Sequence, residues 1–203
     1  MFDSAILPVQ HRLLDPPARW LAAQGVRADT LTLAGFGFGI VAFGLLALGL
    51  PSAALAAIAL NRLADGLDGA VARATRTTDR GAFADIAFDF LFYALVPLGF
   101  AIAGPATNAL PAAVLIAAFV GTGSSFLAFA VIAAQQRLSS DRYPSKGIFY
   151  LGGLTEGTET IAVFIAMCLW PAWFPALAYG FALACAVTAI ARLRAGWVAF
   201  SSR

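Results

Sequence analysis

The feature that most limits this chain is a succession of apolar stretches of membrane-crossing character, punctuated by small basic clusters. A bilayer core takes ~20 residues of helix, and apolar stretches are read at about 30–50, 51–64, 86–104, 109–134, 147–170 and 172–191. Of the 203 residues, 61% are hydrophobic and only 12% are charged, about half the charged share of a soluble domain. The surface must therefore meet lipid. The expected fold is an all-α integral membrane protein of six transmembrane helices, preceded by a short N-terminal interfacial helix. Six spans and their connections use nearly the whole chain. A single membrane domain is expected over 1–203, with 1–27 as the interfacial segment and 28–203 as the bundle.

Charge placement sets the orientation. All 13 Lys and Arg fall into four groups: Arg12, Arg19 and Arg27; Arg62, Arg73, Arg76 and Arg80; Arg137, Arg142 and Lys146; Arg192, Arg194 and Arg203. The intervening hairpins "LGLPS", "AGPATN" and "WPAWFP" carry none. Six spans place all four groups on one side, which the positive-inside rule makes cytoplasmic, together with both termini. The expected location is a bacterial inner membrane.

The start, "MFDSAILPVQHRLLDPPARW", lacks the apolar region of a cleaved signal peptide and is expected to break at Pro16-Pro17. It reads as an interfacial helix with Arg19 and Trp20 at headgroup level. Cys168 and Cys185 sit in apolar runs without ligand-like spacing and are expected to fill the core. The single His11 is expected to be solvated. A net charge of +2 carries no nucleic-acid signature.

Against this background, residues 61–90, "NRLADGLDGAVARATRTTDRGAFADIAFDF", hold Asp65, Asp68, Asp85 and Asp89. Wound as a helix at 100° per residue, the second span gathers Asn61, Arg62, Asp68, Gly69, Ala72 and Arg76 within about 60° of Asp65. Leu63, Ala64, Leu67, Ala70 and Val71 fall on the opposite side, expected to face lipid. On the third span Asp85 and Asp89 stack at i, i+4 with Gly81 one turn before them. At ~1.5 Å per residue they lie roughly 6 and 12 Å in from Gly81. Two acidic pairs thus face each other just below the cytoplasmic headgroups. An ion-pair network with the neighbouring arginines is the plain structural reading. Against it stand the small residues Gly66, Gly69 and Ala72, the exclusive use of Asp, a hard-oxygen ligand suited to Mg²⁺ or Mn²⁺, and the opening toward cytoplasm.

The stretch resembles the signature of the CDP-alcohol phosphotransferases (the CDP-alcohol phosphatidyltransferase family), usually written D-x2-D-G-x2-A-R-x8-G-x3-D-x3-D. Asp65, Asp68, Gly69, Ala72, Arg73, Gly81, Asp85 and Asp89 match in order, with seven residues rather than eight between Arg73 and Gly81. Upstream, "RADTLTLAG" has Ala28, Asp29 and Thr32 where members often carry Pro-Asn-x-x-Thr. The resemblance implies that Asp65, Asp68, Asp85 and Asp89 hold two divalent cations, Mg²⁺ or Mn²⁺, which grip the diphosphate of a CDP-linked lipid, typically CDP-diacylglycerol. Asp89 is then the base that takes the acceptor's proton, and CMP leaves. Asp65, Gly69, Ala72, Arg73 and Arg76 are expected to receive the nucleotide part of the donor. The family also implies a homodimer working in phospholipid biosynthesis.

The acceptor alcohol is less legible. Arg142 and Lys146, at the mouth of the fifth span, are candidates for an acceptor phosphate and equally ordinary membrane anchors. Glu156 and Glu159 are expected roughly 14 and 18 Å inside that span, where intramembrane acids are functional candidates. They suit the hydroxyls of a polyol, the ammonium of an amino alcohol, or an arginine across the bundle. Glycerol 3-phosphate is the leading acceptor. A divalent-cation or proton-coupled transporter is the rival of another class, but the chain shows no internal repeat and its acids cluster near one face. A membrane prenyltransferase also uses Asp-bound metal, yet lacks the Gly-x2-Ala-Arg element.

Overall fold

The computed structural model describes residues 3–136 and 153–201. Seven α-helices follow one another: α1 (Asp3–Ala23), α2 (Ala28–Ala47), α3 (Pro51–Ala74), α4 (Asp79–Ala103), α5 (Pro105–Gln135), α6 (Gly157–Leu169) and α7 (Phe174–Phe200), with a 3₁₀ turn at Pro171–Trp173. No strand occurs among the described residues. Four described helices are long and apolar enough to cross a membrane: α2, α4, α5, and α7 with its preceding turn. Helix α3 is 24 residues long but carries Arg62, Asp65, Asp68 and Arg73 from its midpoint onward. Helix α6 has 13 residues.

The helix ends follow from local chemistry. After α1 and again after α2 the chain turns on a glycine with positive φ, Gly25 at 79° and Gly49 at 74°. In each case a six-to-one hydrogen bond closes the turn, from Val26 N to Leu21 O and from Leu50 N to Leu45 O. A side chain in that left-handed conformation would clash with its own backbone, so glycine ends the helix there. Pro51 and Pro105 then open α3 and α5, positions where a missing N–H leaves no intrahelical bond unmade. Thr78 caps α4 by accepting from Gly81 N at 3.0 Å. The short turns make α2 and α3, and then α4 and α5, antiparallel neighbours.

Helix α2 packs against both α3 and α4, α4 against α5, and α5 against α7. Close approach of α2 and α4 is set at Gly99, where an added Cβ would stand 2.6 Å from Leu46 Cβ and 3.1 Å from the Phe43 carbonyl. The centre of the bundle is aromatic. Phe92, Phe164 and Phe119 meet edge to face, with centroids 6.0 and 6.1 Å apart, the arrangement that the ring quadrupole favours. Cys168 and Cys185 are buried in this core, as expected of fillers.

Helix α1 departs from expectation. It runs unbroken through Pro16 and Pro17, although each proline removes a helical donor. The packing of its second half explains the tolerance: Ala18 is fully buried against Ala70 and Val71 of α3. Hence the side of α3 opposite Asp65 is not a lipid face throughout. Leu63 is exposed, but Ala64, Ala70 and Val71 are buried. A helical wheel separates apolar from polar residues; it does not distinguish a lipid tail from a neighbouring helix as the apolar partner. Trp20 of α1 is exposed.

Candidate active site

Three of the four aspartates converge. Carboxylate oxygens of Asp65 on α3 and of Asp85 and Asp89 on α4 all lie within 4.8 Å of one another. Asp85 and Asp89 are one turn apart on α4, and Asp65 comes beside them because α3 and α4 both pack on α2. Asp68 stands next to this group. It is buried, and its Oδ2 accepts a 2.6 Å hydrogen bond from Thr32 Oγ1 of α2. All four carboxylates line one narrow cleft with Thr32, Asn61 and Arg62, and the stacked rings of Phe36 and Phe88, 4.3 Å between centroids, close it on the α2–α4 side.

Arg62 sits inside this acidic group. Its Nη2 donates to Asp89 Oδ1 at 2.9 Å, and its Nη1 lies 3.5 Å from Asp65 Oδ2. Its Nε donates to Asn61 Oδ1 at 2.7 Å, and Asn61 in turn donates to the Gly35 carbonyl at 2.8 Å. The donor set presented by the carboxylates is all hard oxygen and tightly grouped, which fits Mg²⁺ or Mn²⁺.

On the other side of α4 lies a cavity of about 650 Å³. Asp85 and Asp89 line both the cleft and this cavity, so α4 forms the partition between them. The cavity is walled by Phe90, Tyr93, Phe119 and Phe126, with Thr122, Thr155, Glu156, Thr160 and Arg192 as polar groups. Its size suits a small polar molecule plus part of a larger one. Gly123 brings α5 against Phe90, where an added Cβ would be 2.7 Å from the ring. Arg192 of α7 is buried and donates to the Thr122 carbonyl at 3.2 Å, with its guanidinium 5.5 Å from the Phe126 ring centre.

The remaining residues singled out in the sequence are dispersed. Gly69 leaves open space on its side of α3: an added Cβ there would meet only Arg73 Nη1, at 3.4 Å. Gly66 does not, because Leu14 of α1 covers it at 2.6 Å from an added Cβ; its small size serves helix packing. Ala72 is half-buried, and Arg73, half-exposed, pairs with Asp15 of α1 at 3.5 Å. Arg76 is not on the stripe that continuous winding predicted. Helix α3 ends at Ala74, so Arg76 lies exposed in the link to α4. Asp29 is 3.7 Å from Arg27 and 3.8 Å from Arg80, tying the start of α2 to the start of α4.

Glu156 and Glu159 do not sit deep within a helix. They form its first turn: Glu156 is the N-cap of α6 and the two make a reciprocal capping box. Glu156 Oε1 accepts from Gly153 N at 2.9 Å, and Glu159 Oε2 accepts from Glu156 N at 3.2 Å. The expected depth was counted from a helix beginning near residue 147, whereas α6 begins at Gly157. Of the pair, Glu156 reaches the cavity. Arg142 and Lys146 lie outside the described residues. Arg192, by contrast, was hidden from sequence reading among the cytoplasmic anchors. Its signal was its spacing: Arg192 and Arg194 are about 200° apart on a helix, so the two cannot share one environment.

A cleft lined by aspartates of two helices, with α4 between it and a mixed polar and aromatic cavity, is the arrangement to set beside known proteins. Residues 26–193 match the CDP-alcohol phosphatidyltransferase family. The inner membrane protein YnjF of Escherichia coli (strain K12) is 50% identical over 202 residues, covering 100% of this chain and 98% of that protein. Among solved structures, the phosphatidylinositol phosphate synthase PgsA1 of Mycobacterium tuberculosis with CDP-DAG bound superposes with a TM-score of 0.68. The two share 24% identity over 92% of this chain and 94% of that one. The same enzyme in complex with manganese and citrate gives 0.65, with 25% identity over 91% and 89%. The chain belongs to the CDP-alcohol phosphatidyltransferase family, membrane transferases of phospholipid biosynthesis.

Proposed function

We propose that the chain transfers a phosphatidyl group from a CDP-linked lipid, CDP-diacylglycerol foremost, to the hydroxyl of a small alcohol with release of CMP. The observation that carries this reading is the position of Asp85 and Asp89 on the partition between the acidic cleft and the cavity. A donor diphosphate at the cleft and an acceptor hydroxyl in the cavity would then meet at the same two side chains. Two divalent cations held by Asp65, Asp68, Asp85 and Asp89, Mg²⁺ or Mn²⁺, would neutralise the diphosphate and stabilise the charge on departing CMP. Support comes from the clustered oxygens and from the manganese complex of PgsA1.

Asp89 takes the proton of the acceptor hydroxyl, worth about 10²–10⁴-fold as general-base assistance. The alcohol oxygen forms a bond to the β-phosphorus of the donor, and the bond from that phosphorus to the CMP oxygen breaks. Gly69 and Ala72 leave the side of α3 low enough for the cytidine part, and Arg73 and Arg76 supply cations for phosphate. CDP-DAG bound to PgsA1 supports the choice of donor.

For the acceptor, glycerol 3-phosphate remains the leading reading, supported by the buried cation Arg192 in the cavity, with Arg142 and Lys146 as further phosphate candidates. An amino alcohol or polyol is the second reading, favoured by Glu156 on the same wall. In the membrane we keep the six crossings expected from the sequence, supported by length and apolarity at α2, α4, α5 and α7, with the basic ends, both termini and the acidic cleft on the cytoplasmic side of an inner membrane. The family resemblance supports a homodimer.

The experiment is CMP release by the purified protein with CDP-diacylglycerol, Mg²⁺ or Mn²⁺, and a panel of acceptors. Turnover that needs metal and is lost in Asp68→Asn and Asp89→Asn is the expected result. Unchanged turnover in both variants refutes the assignment. Uptake of Mn²⁺ into sealed vesicles without lipid turnover would establish the transporter reading instead.

A further inference from the structure

We propose that Arg62 is a resident counter-cation of the acidic centre: in the metal-free protein it keeps Asp65 and Asp89 converged, and it competes with a divalent cation for Asp89. The inference rests on the metal reading given above.

The guanidinium is seated by groups of α3 and α4, and through Asn61 it is tied to α2. Asp89 Oδ1 accepts from Nη2 at 2.9 Å and Asp65 Oδ2 lies 3.5 Å from Nη1, so one cation bridges α3 and α4. Asn61 Oδ1 fixes the third nitrogen at 2.7 Å and is itself anchored to the Gly35 carbonyl of α2. Beneath the fork, the fully buried ring of Phe92 stands 4.8 Å from the guanidinium carbon. Gly39 makes room for this stack: an added Cβ would fall 3.0 Å from Phe92 Cδ2 and 3.4 Å from Asn61 Nδ2. Planar forks stacked on rings and held by carboxylates are arginine-specific geometry.

Its location explains a difficulty of the site. Four carboxylates in one cleft repel one another when no metal is present, and in low dielectric that repulsion is severe. Arg62 offsets it at the contact between α3 and α4. The same contact uses an oxygen of Asp89 and places a positive charge beside any dication held there. Arg62 therefore stabilises the empty centre and weakens metal binding, and thereby sets the metal concentration at which the centre fills.

The test uses purified full-length protein in detergent, without lipid substrate. Mn²⁺ binding is followed by the paramagnetic resonance signal of free Mn²⁺, and thermal unfolding is followed with and without Mn²⁺. Arg62→Gln is expected to bind Mn²⁺ about tenfold or more tightly than the unsubstituted protein, since a like charge near the ion has been removed. Its metal-free unfolding temperature falls, and its upward shift on adding Mn²⁺ is larger. If that variant does not fold, Arg62→Lys, which keeps the charge but not the fork, is expected to bind more tightly by a smaller factor. Equal or weaker Mn²⁺ binding in the folded variant overturns the inference while leaving the metal site intact. Absence of Mn²⁺ binding in every form overturns the metal reading and this inference with it.

Discussion

The hydroxyl of Thr32 donates to Asp68 across 2.6 Å, joining the first turns of α2 to the acidic end of α3. Both groups are buried. The bond orients the one aspartate that does not converge with the other three, leaving its second oxygen directed by the first. Hydrogen bonds to a charged group contribute about 1.5–3 kcal/mol, enough to hold one rotamer.

Replacing Thr32 by Val keeps the shape and removes that donor. The expected result is a rise of about tenfold or more in the Mn²⁺ concentration needed for half-maximal CMP release, with a small fall in unfolding temperature. Metal dependence identical to the unsubstituted protein would show that Asp68 needs no such support.

Glu156 and Glu159 share one capping box but not one environment, because only Glu156 lines the cavity. A glutamine amide oxygen still accepts at a helix N-terminus, so Glu156→Gln and Glu159→Gln are expected to fold. The first should change the KM for the acceptor at least about tenfold, and the second within about twofold. Equal effects of the two would remove Glu156 from the acceptor wall.

Gly99 lets α2 and α4 touch, with backbone as well as side chain within reach of an added Cβ. Neither the Phe43 carbonyl nor Leu46 Cβ can rotate away. Gly99→Val is therefore expected to cost about 1–3 kcal/mol or more by overpacking, read as a lower unfolding temperature. An unchanged temperature would mean that the helices separate without penalty.

Gly66 faces Leu14 of α1. An added Cβ there meets only the ends of the Leu14 and Gln10 side chains, so Gly66→Val is expected to keep α1 on α3, with a small fall in unfolding temperature and unchanged Mn²⁺ affinity. Weakened metal binding would return Gly66 to the site.

The acidic motif was legible from residues alone, because i, i+4 spacing on α4 and a polar stripe on α3 need nothing beyond helix periodicity. The apolar stretches and bare hairpins likewise marked where helices would turn back. Misreadings came where a second element intervened. Gly66 and Val71 read as open or lipid-facing until α1 was laid over them. Glu156 and Glu159 read as deep until the start of α6 was known. Arg192 read as an anchor until α5 and α7 closed around it.

What the chain alone determined is which residues can share a face, since 100° per residue is a local property of the backbone. Which faces meet is set by three-dimensional packing: by small residues such as Gly99 and Gly123 that let particular helices approach. Only that packing brought Arg62 between Asp65 and Asp89, put Thr32 on Asp68, and opened a cavity behind α4. Contacts between helices distant in sequence depend on the shapes of both surfaces at once, and no periodicity within one segment contains that information.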